Sequence, residues 1–417
     1  MSIDLSLYPD GASLDAGGHL SVGGVPMEAI AEQYGTPAYV VDEGALRARA
    51  RRYRDAFADR HPNSLVLFAS KSFPSAVITG LLAEEGIGTD VAAVGELVIA
   101  LRGGAPASRI VVHGNAKTDV DINAAIGAGV RYIVIDNLDD VERIARLASS
   151  PVPALLRVSP GVLATTHEKM MTGHDASKFG VPSTMIEDTI AQIRREPMID
   201  LRGLHSHIGS GVTALDQFEA AVAALSRLER FPVYDVGGGL GVRYVHADQA
   251  PSVEEYADRT VSAVHKHLGA DIELMVEPGR SMVAPCGITL YRVVTVKRGV
   301  RTHVAVDGGM GDNLEVSLYG QAFEPSIVGK VGDEVTCDIV GRHCESGDTL
   351  AWDASVVDPK VDDLLVVPVT GAYCYTMSNN YNAALRLPVV LVRDGSARLA
   401  VRRETYDDLL RREMLVD

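Results

Sequence analysis

Cysteine is scarce, with Cys286, Cys337, Cys344 and Cys374 the only four in 417 residues. No two form a CxxC pair and none stands with histidine at zinc-ligand spacing, so no metal centre is expected. All four lie in the last third of the chain, which excludes a disulfide framework for the whole protein. Positive charge is also in deficit: 39 Lys+Arg against 55 Asp+Glu leave a formal charge of −16. A polyanion is therefore excluded as the main partner, because neutralising its phosphates takes a net basic face. A local basic pocket for one phosphate is still compatible with this balance. No stretch approaches 18 uncharged apolar residues, so no membrane-spanning helix is expected. The opening MSIDLSLYPDGASLD lacks the basic start and apolar run of a signal peptide, and a cytoplasmic protein is expected.

What is present is ordinary for a folded chain: 47% apolar and 23% charged residues, enough to build a sizeable core. The length predicts two or three domains. From residue 65 to 280 one unit repeats: a short apolar run, a Gly/Asp/Asn turn, then a helical stretch. The runs are Leu65–Lys71, Gly88–Ala93, Ile110–Gly114, Tyr132–Asn137, Pro153–Pro160, Leu201–Gly209, Val233–Gly239 and Glu273–Gly279. Strands apolar throughout are those buried on both faces of a parallel sheet. Stretches between them, such as AVGELVIALRGG and VDINAAIGAGVR, carry apolar residues at three- and four-residue spacing. Eight such units predict a closed (β/α)8 TIM barrel; an open doubly wound sheet is the alternative. After about residue 284 the chain turns to short strands joined by turns, which predicts an antiparallel β domain that the strand-like HLSVGG and PAYVVDE near the start could join. The expected division is 1–36 as a segment joining the β domain, 37–284 as the barrel and 285–417 as the β domain.

In such a barrel the chemistry sits where strands end. Those ends supply Lys71, Asp90, His113 with Asn115, Arg157, His205 with His207, Gly237 to Gly239, and Glu277 with Arg280. A lone lysine at a strand end is by default a solvated charge, and a lone histidine a core residue. Together with a glycine turn able to approach a phosphate and a carboxylate that burial would penalise, they suggest a phosphorylated, electron-accepting cofactor.

HSHIGS (His205–Ser210), DVGGGLGVRY (Asp235–Tyr244), VEPGRS (Val276–Ser281), HCESGD (His343–Asp348) and GAYCYTMSNNYN (Gly371–Asn382) resemble diaminopimelate decarboxylase. That family consists of fold-type III pyridoxal 5'-phosphate enzymes related to ornithine and arginine decarboxylases and to alanine racemase. The resemblance runs over nearly the whole chain. It implies that Lys71 is the Schiff-base lysine and that His207 stacks on the pyridoxal ring. Ser210, Gly237, Gly238 and Gly239 would hold the phosphate and Glu277 the pyridine nitrogen. Asp90 and Gly279 would also belong to the cofactor site, and Tyr373 would touch both cofactor and substrate. Arg280 would contact both cofactor and substrate carboxylate. Cys344 and Glu345 would enter the active site of the partner subunit, the cysteine returning a proton to the substrate and the glutamate reading an amine. A homodimer with shared sites follows from that arrangement.

The resemblance has one informative departure. The family's D-N-x-R-P-x-L-Y segment carries an arginine for the carboxylate at the non-reacting end of the substrate. Here the segment is DNLEVSLY: Tyr319 is kept, and Glu315 stands in place of the arginine. ASKSFPS and HIGSG also differ from the family's usual A-x-K-A-N/F and HIGSQ. The charge reversal implies a small amino-acid substrate without a free distal carboxylate. It could be a diamino acid such as D-lysine or D-ornithine, or an aminoacyl group on a carrier protein. Decarboxylation of free meso-diaminopimelate to lysine is the alternative. An amino-acid racemase on the same fold is disfavoured by HCESGD, and a non-catalytic regulator by the complete set of cofactor positions.

Overall fold

The computed structural model describes residues 3–159 and 177–414. It divides into two compact units, residues 47–242 with 249–282, and residues 1–46 with 243–248 and 283–417.

The first unit is a closed parallel barrel. Its eight strands are Ser64–Ala69, Gly88–Val91, Ile110–Val112, Tyr132–Ile135, Val152–Ser159, Ile199–His205, Val233–Asp235 and Glu273–Val276. Each pairs in parallel with its neighbours, and Leu274 opposite Ser64 joins the last strand to the first. All eight predicted runs are strands, but most stop two to four residues earlier than the sequence runs do. Lys71, His207, Gly237–Gly239 and Glu277 therefore lie in loops just past the strands. The final residue of the Pro153–Pro160 run lies outside the described residues. Leu67, Val111, Val134, Leu155, Val233 and Met275 meet in the barrel interior, each at 3% exposure or less, which makes it a packed core and not a pore.

The intervening helices follow local rules. Helix Asp119–Ala128 starts at Thr118, whose side chain and that of Asp121 cap each other's backbone, and it ends at Gly129 in the left-handed region. Ser252 and Glu255 make the same capping box for helix Val253–His267.

The second unit is a β unit whose main sheet runs Thr349–Val357, Glu334–Val340, Thr302–Val306, Gly287–Arg298, Ala38–Asp42, Val389–Arg393 and Ser396–Val401. Antiparallel pairs dominate, as expected, although two neighbours run parallel: Thr302–Val306 with Glu334–Val340, and Ala38–Asp42 with Val389–Arg393. The sequence division placed Ala38–Asp42 with the barrel. It belongs to this sheet instead, because its five buried residues pair on both sides, Val40 opposite Ile288 and opposite Val390. Leu20–Val22 lies in a separate small sheet with Ser13–Leu14 and Val25–Pro26. Among the described residues no helix is long and apolar enough to cross a membrane.

Candidate active site

The ends of the barrel strands surround a cavity of about 310 Å3 lined by Lys71, Asp90, His113, Asn115, Arg157, His205, His207 and Glu277, among others. Every strand-end residue with a titratable side chain that the sequence offered, apart from Arg280, lines this one space. Lys71 occupies the single turn Ser70–Ser72 after the first barrel strand, where the Ser72 hydroxyl donates to the Ala69 carbonyl at 2.8 Å. Gly279 comes so near that a Cβ there would lie 2.9 Å from the Ala69 Cβ, so the two strand ends pack closely.

Glu277 is the electrostatic centre. It is 6% exposed, with His205 Nε2 3.3 Å from Oε2 and His113 Nε2 2.7 Å from Oε1. The second contact is out of line for a hydrogen bond, and Oε1 has no aligned donor. Burial alone would raise the Glu277 pKa, but the two imidazoles hold it well below the usual carboxylate range. Burial pushes His205 down to about 4, whereas Asp90 and Glu277 outweigh burial at His113 and raise it. Asp90, 3.6 Å from His113 Nε2, is pushed up to about 6, chiefly by burial. His207 is held well below its ordinary value by burial and then by the Lys71 charge, so its ring is neutral and suited to lie against a planar cofactor.

Beside this pocket the Gly237–Gly239 turn, the 205–211 loop and the start of the Arg280 helix converge. The Gly238 N–H donates to His207 Nδ1 at 3.2 Å, and Arg280 Nε donates to Ser210 Oγ at 3.2 Å. A Cβ on Gly238 would stand 1.9 Å from the Glu277 carbonyl oxygen, and one on Gly239, at φ +114°, 2.2 Å from the Gly209 oxygen. This cradle admits only glycine. A glycine turn with a serine hydroxyl and a guanidinium suits a phosphate. An ionised, misaligned carboxylate oxygen suits a protonated ring nitrogen, and a lysine nearby suits an aldehyde. The donor set fits pyridoxal phosphate.

The remaining predicted residues belong to the β unit, where three motifs interlock. Asp348 accepts from the His343 and Met310 N–H groups, Gly311 N–H donates to His343 Nε2 and Asn379 N–H to the Gly311 carbonyl. Ser317 Oγ, on the short helix Glu315–Tyr319, donates to the Gly347 carbonyl at 2.7 Å. The DNLEVSLY, HCESGD and GAYCYTMSNNYN segments thus form one cluster. Cys344 and Glu345 are exposed in it, and the Cys344 N–H donates to Asn382 Oδ1 at 2.8 Å. Glu315 is buried at 1% exposure and accepts from the Tyr244 hydroxyl at 3.3 Å; Tyr319 is half-buried. Tyr373 adopts φ +62°, a left-handed conformation that costs a non-glycine residue energy and that concentrates at functional sites.

Sequence reasoning left several members without a role. His113 and His205 were named at strand ends but not joined to Glu277, and Asp235 was passed over within DVGGG although it is fully buried. The signal for Asp235 was available: a carboxylate directly before three glycines at a barrel strand end. Lys117, two residues beyond Asn115, makes a buried ion pair with Asp140 at 2.7 Å behind the cavity loop.

Comparison with known proteins agrees with this geometry. Residues 43–284 match the family model for the pyridoxal binding domain of pyridoxal-dependent decarboxylases. The chain is 42% identical to a diaminopimelate decarboxylase of Actinosynnema pretiosum subsp. auranticum, over 99% of this chain and 96% of the relative. It is 39% identical to that of Bacillus subtilis, over 95% of both. A crystal structure of diaminopimelate decarboxylase from M. jannaschii in complex with L-lysine superposes with a TM-score of 0.92 at 29% identity, covering 98% of each chain. The chain belongs to the fold-type III pyridoxal-phosphate-dependent amino-acid decarboxylases, among the relatives of diaminopimelate decarboxylase.

Proposed function

We propose that this decarboxylase acts on an amino acid whose distal end carries no free carboxylate. The observation that carries this reading is Glu315. A buried carboxylate in place of the family's arginine differs by two units of charge, and a substrate carboxylate desolvated beside it would cost several kcal/mol. A distal ammonium would pair with Glu315 or Glu345, and an amide or thioester would avoid the repulsion. Free meso-diaminopimelate is the second reading, favoured by the names of the relatives; it needs another cation in place of the missing arginine.

In this reading Lys71 holds the coenzyme through its amine, His207 packs on the ring, and Ser210, Gly237–Gly239 and Arg280 bind the phosphate. Glu277 keeps a proton on the pyridine nitrogen, and Asp90 with Gly279 and Tyr373 completes the cofactor site. The bound coenzyme supplies a sink for the electron pair released as the Cα–carboxylate bond breaks. The exposed thiol of Cys344 carries the proton that returns to Cα, acting with Glu345 in the site of the partner subunit of a cytoplasmic homodimer.

A screen of CO2 release tests the substrate assignment across meso-diaminopimelate, the enantiomers of lysine and ornithine, aspartate, glutamate and carrier-linked aminoacyl thioesters. The expected result is fastest release from a substrate lacking the distal carboxylate. Fastest release from meso-diaminopimelate would overturn it.

A further inference from the structure

Asp235 ends the barrel strand Val233–Asp235 with no solvent exposure. Its Oδ1 accepts the Gly237 N–H at 2.9 Å, and its Oδ2 accepts from no donor; the Glu277 carboxyl is its side-chain neighbour. Donor atoms of Asp235, Glu277, His113 and His205 all lie within 4.8 Å of one another. Two buried carboxylates this close raise one another's pKa, so that one of them keeps its proton.

The neighbours decide which one. Glu277 has an imidazole nitrogen at each oxygen, His205 at 3.3 Å and His113 at 2.7 Å, whereas the one N–H donor to the Asp235 carboxyl is the Gly237 backbone, with Glu277 beside it. His205 needs its proton on Nε2 to donate to Glu277, and its Nδ1 has no partner, so this ring is neutral and adds no positive charge beside Asp235. The other charges around the pocket are Asp90 and Glu96, which add negative charge, and Arg157 and Lys71, which add positive charge.

We propose that Asp235 is a positioning residue that remains a neutral carboxylic acid at neutral pH, so that Glu277 is the ionised partner offered to the pyridine nitrogen. Burial and the Glu277 charge push the Asp235 pKa well above the ordinary aspartate value, in keeping with this assignment. Asp235 works through Glu277 and touches no reacting atom. Its role is to leave the single negative charge of the pair on Glu277.

Carbon-13 NMR of the holoenzyme labelled at aspartate Cγ tests this. At pH 8 one aspartyl carboxyl should still resonate at the protonated position, above the pH at which Asp312 (about 7) and Asp90 (about 6) lose their protons. That resonance should vanish in Asp235→Asn. Because Asn copies the shape and neutrality of the acid, Asp235→Asn should also keep pyridoxal phosphate affinity within about tenfold of wild type, while Glu277→Gln loses more than that. The absence of any protonated aspartyl signal at pH 8 in wild type would overturn the proposal, and this measurement does not depend on the variant folding. A folded Asp235→Asn with a larger loss of affinity, or one that keeps the resonance, would overturn it equally.

Discussion

The backbone of Gly238 passes so close to Glu277 that a methyl group on its α-carbon would stand 1.9 Å from the Glu277 carbonyl oxygen. The turn suited to a phosphate and the strand end that offers the carboxylate are therefore fixed to one another by contact. Adding that methyl must push the two apart, since the obstructing atom is backbone. Gly238→Ala is expected to weaken pyridoxal phosphate binding by more than about a hundredfold, a loss near 3 kcal/mol. Fluorescence titration of the apoenzyme measures it, and unchanged affinity would show that the turn has room to move.

Lys71 is the amine that lines the cavity beside His207 and Glu277. Lys71→Ala should abolish turnover and the visible absorbance of enzyme-bound coenzyme. Retained CO2 release at more than about a thousandth of the wild-type rate would contradict its covalent role.

The ion pair between Lys117 and Asp140 is buried at both ends, and the Lys117 amine also donates to the Gly114 carbonyl in the cavity loop. Removing one partner strands the other charge. Lys117→Met is expected to cost about 3–5 kcal/mol in urea unfolding, and adding Asp140→Leu should recover much of it. A cost below about 1 kcal/mol would place the pair among surface-like bridges.

Burial, reinforced by Asp307 and Asp348, pushes the Asp312 carboxyl up to about 7. The folded protein then holds this proton between about pH 4 and 7 while the unfolded chain has released it. Stability must fall as pH rises through that window and level off above it. Asp312→Asn removes the titration, so its unfolding free energy should decline less than that of wild type from pH 4 to 7, by about 2–4 kcal/mol. Parallel curves would contradict the assignment.

Much of this arrangement was legible in the chain. Largely apolar runs of five to nine residues that close on Gly/Asp turns specify barrel strands, and the chemistry lies at their ends because that is where the loops open. The boundary at residue 37 put Ala38–Asp42 with the barrel, although its strand-like sequence could also join the β unit, for a physical reason: a strand buried on both sides has the same apolar pattern in either unit, and only its pairing with Gly287–Arg298 and Val389–Arg393 reveals which. The parallel pair Thr302–Val306 with Glu334–Val340 joins strands nearly thirty residues apart, which no local turn signal encodes. Glu277 could be picked out as a carboxylate needing a partner. Which groups balance its charge could not, because His113, His205 and Asp235 converge from three separate strands.

The substrate assignment rests on a buried glutamate in place of an arginine, and reversing that charge examines it most directly. Steady-state decarboxylation of meso-diaminopimelate by wild type and Glu315→Arg should show kcat/KM rising at least about tenfold in the variant, chiefly through KM. Efficient turnover of meso-diaminopimelate by wild type, with kcat/KM unchanged or lower in Glu315→Arg, would contradict the account.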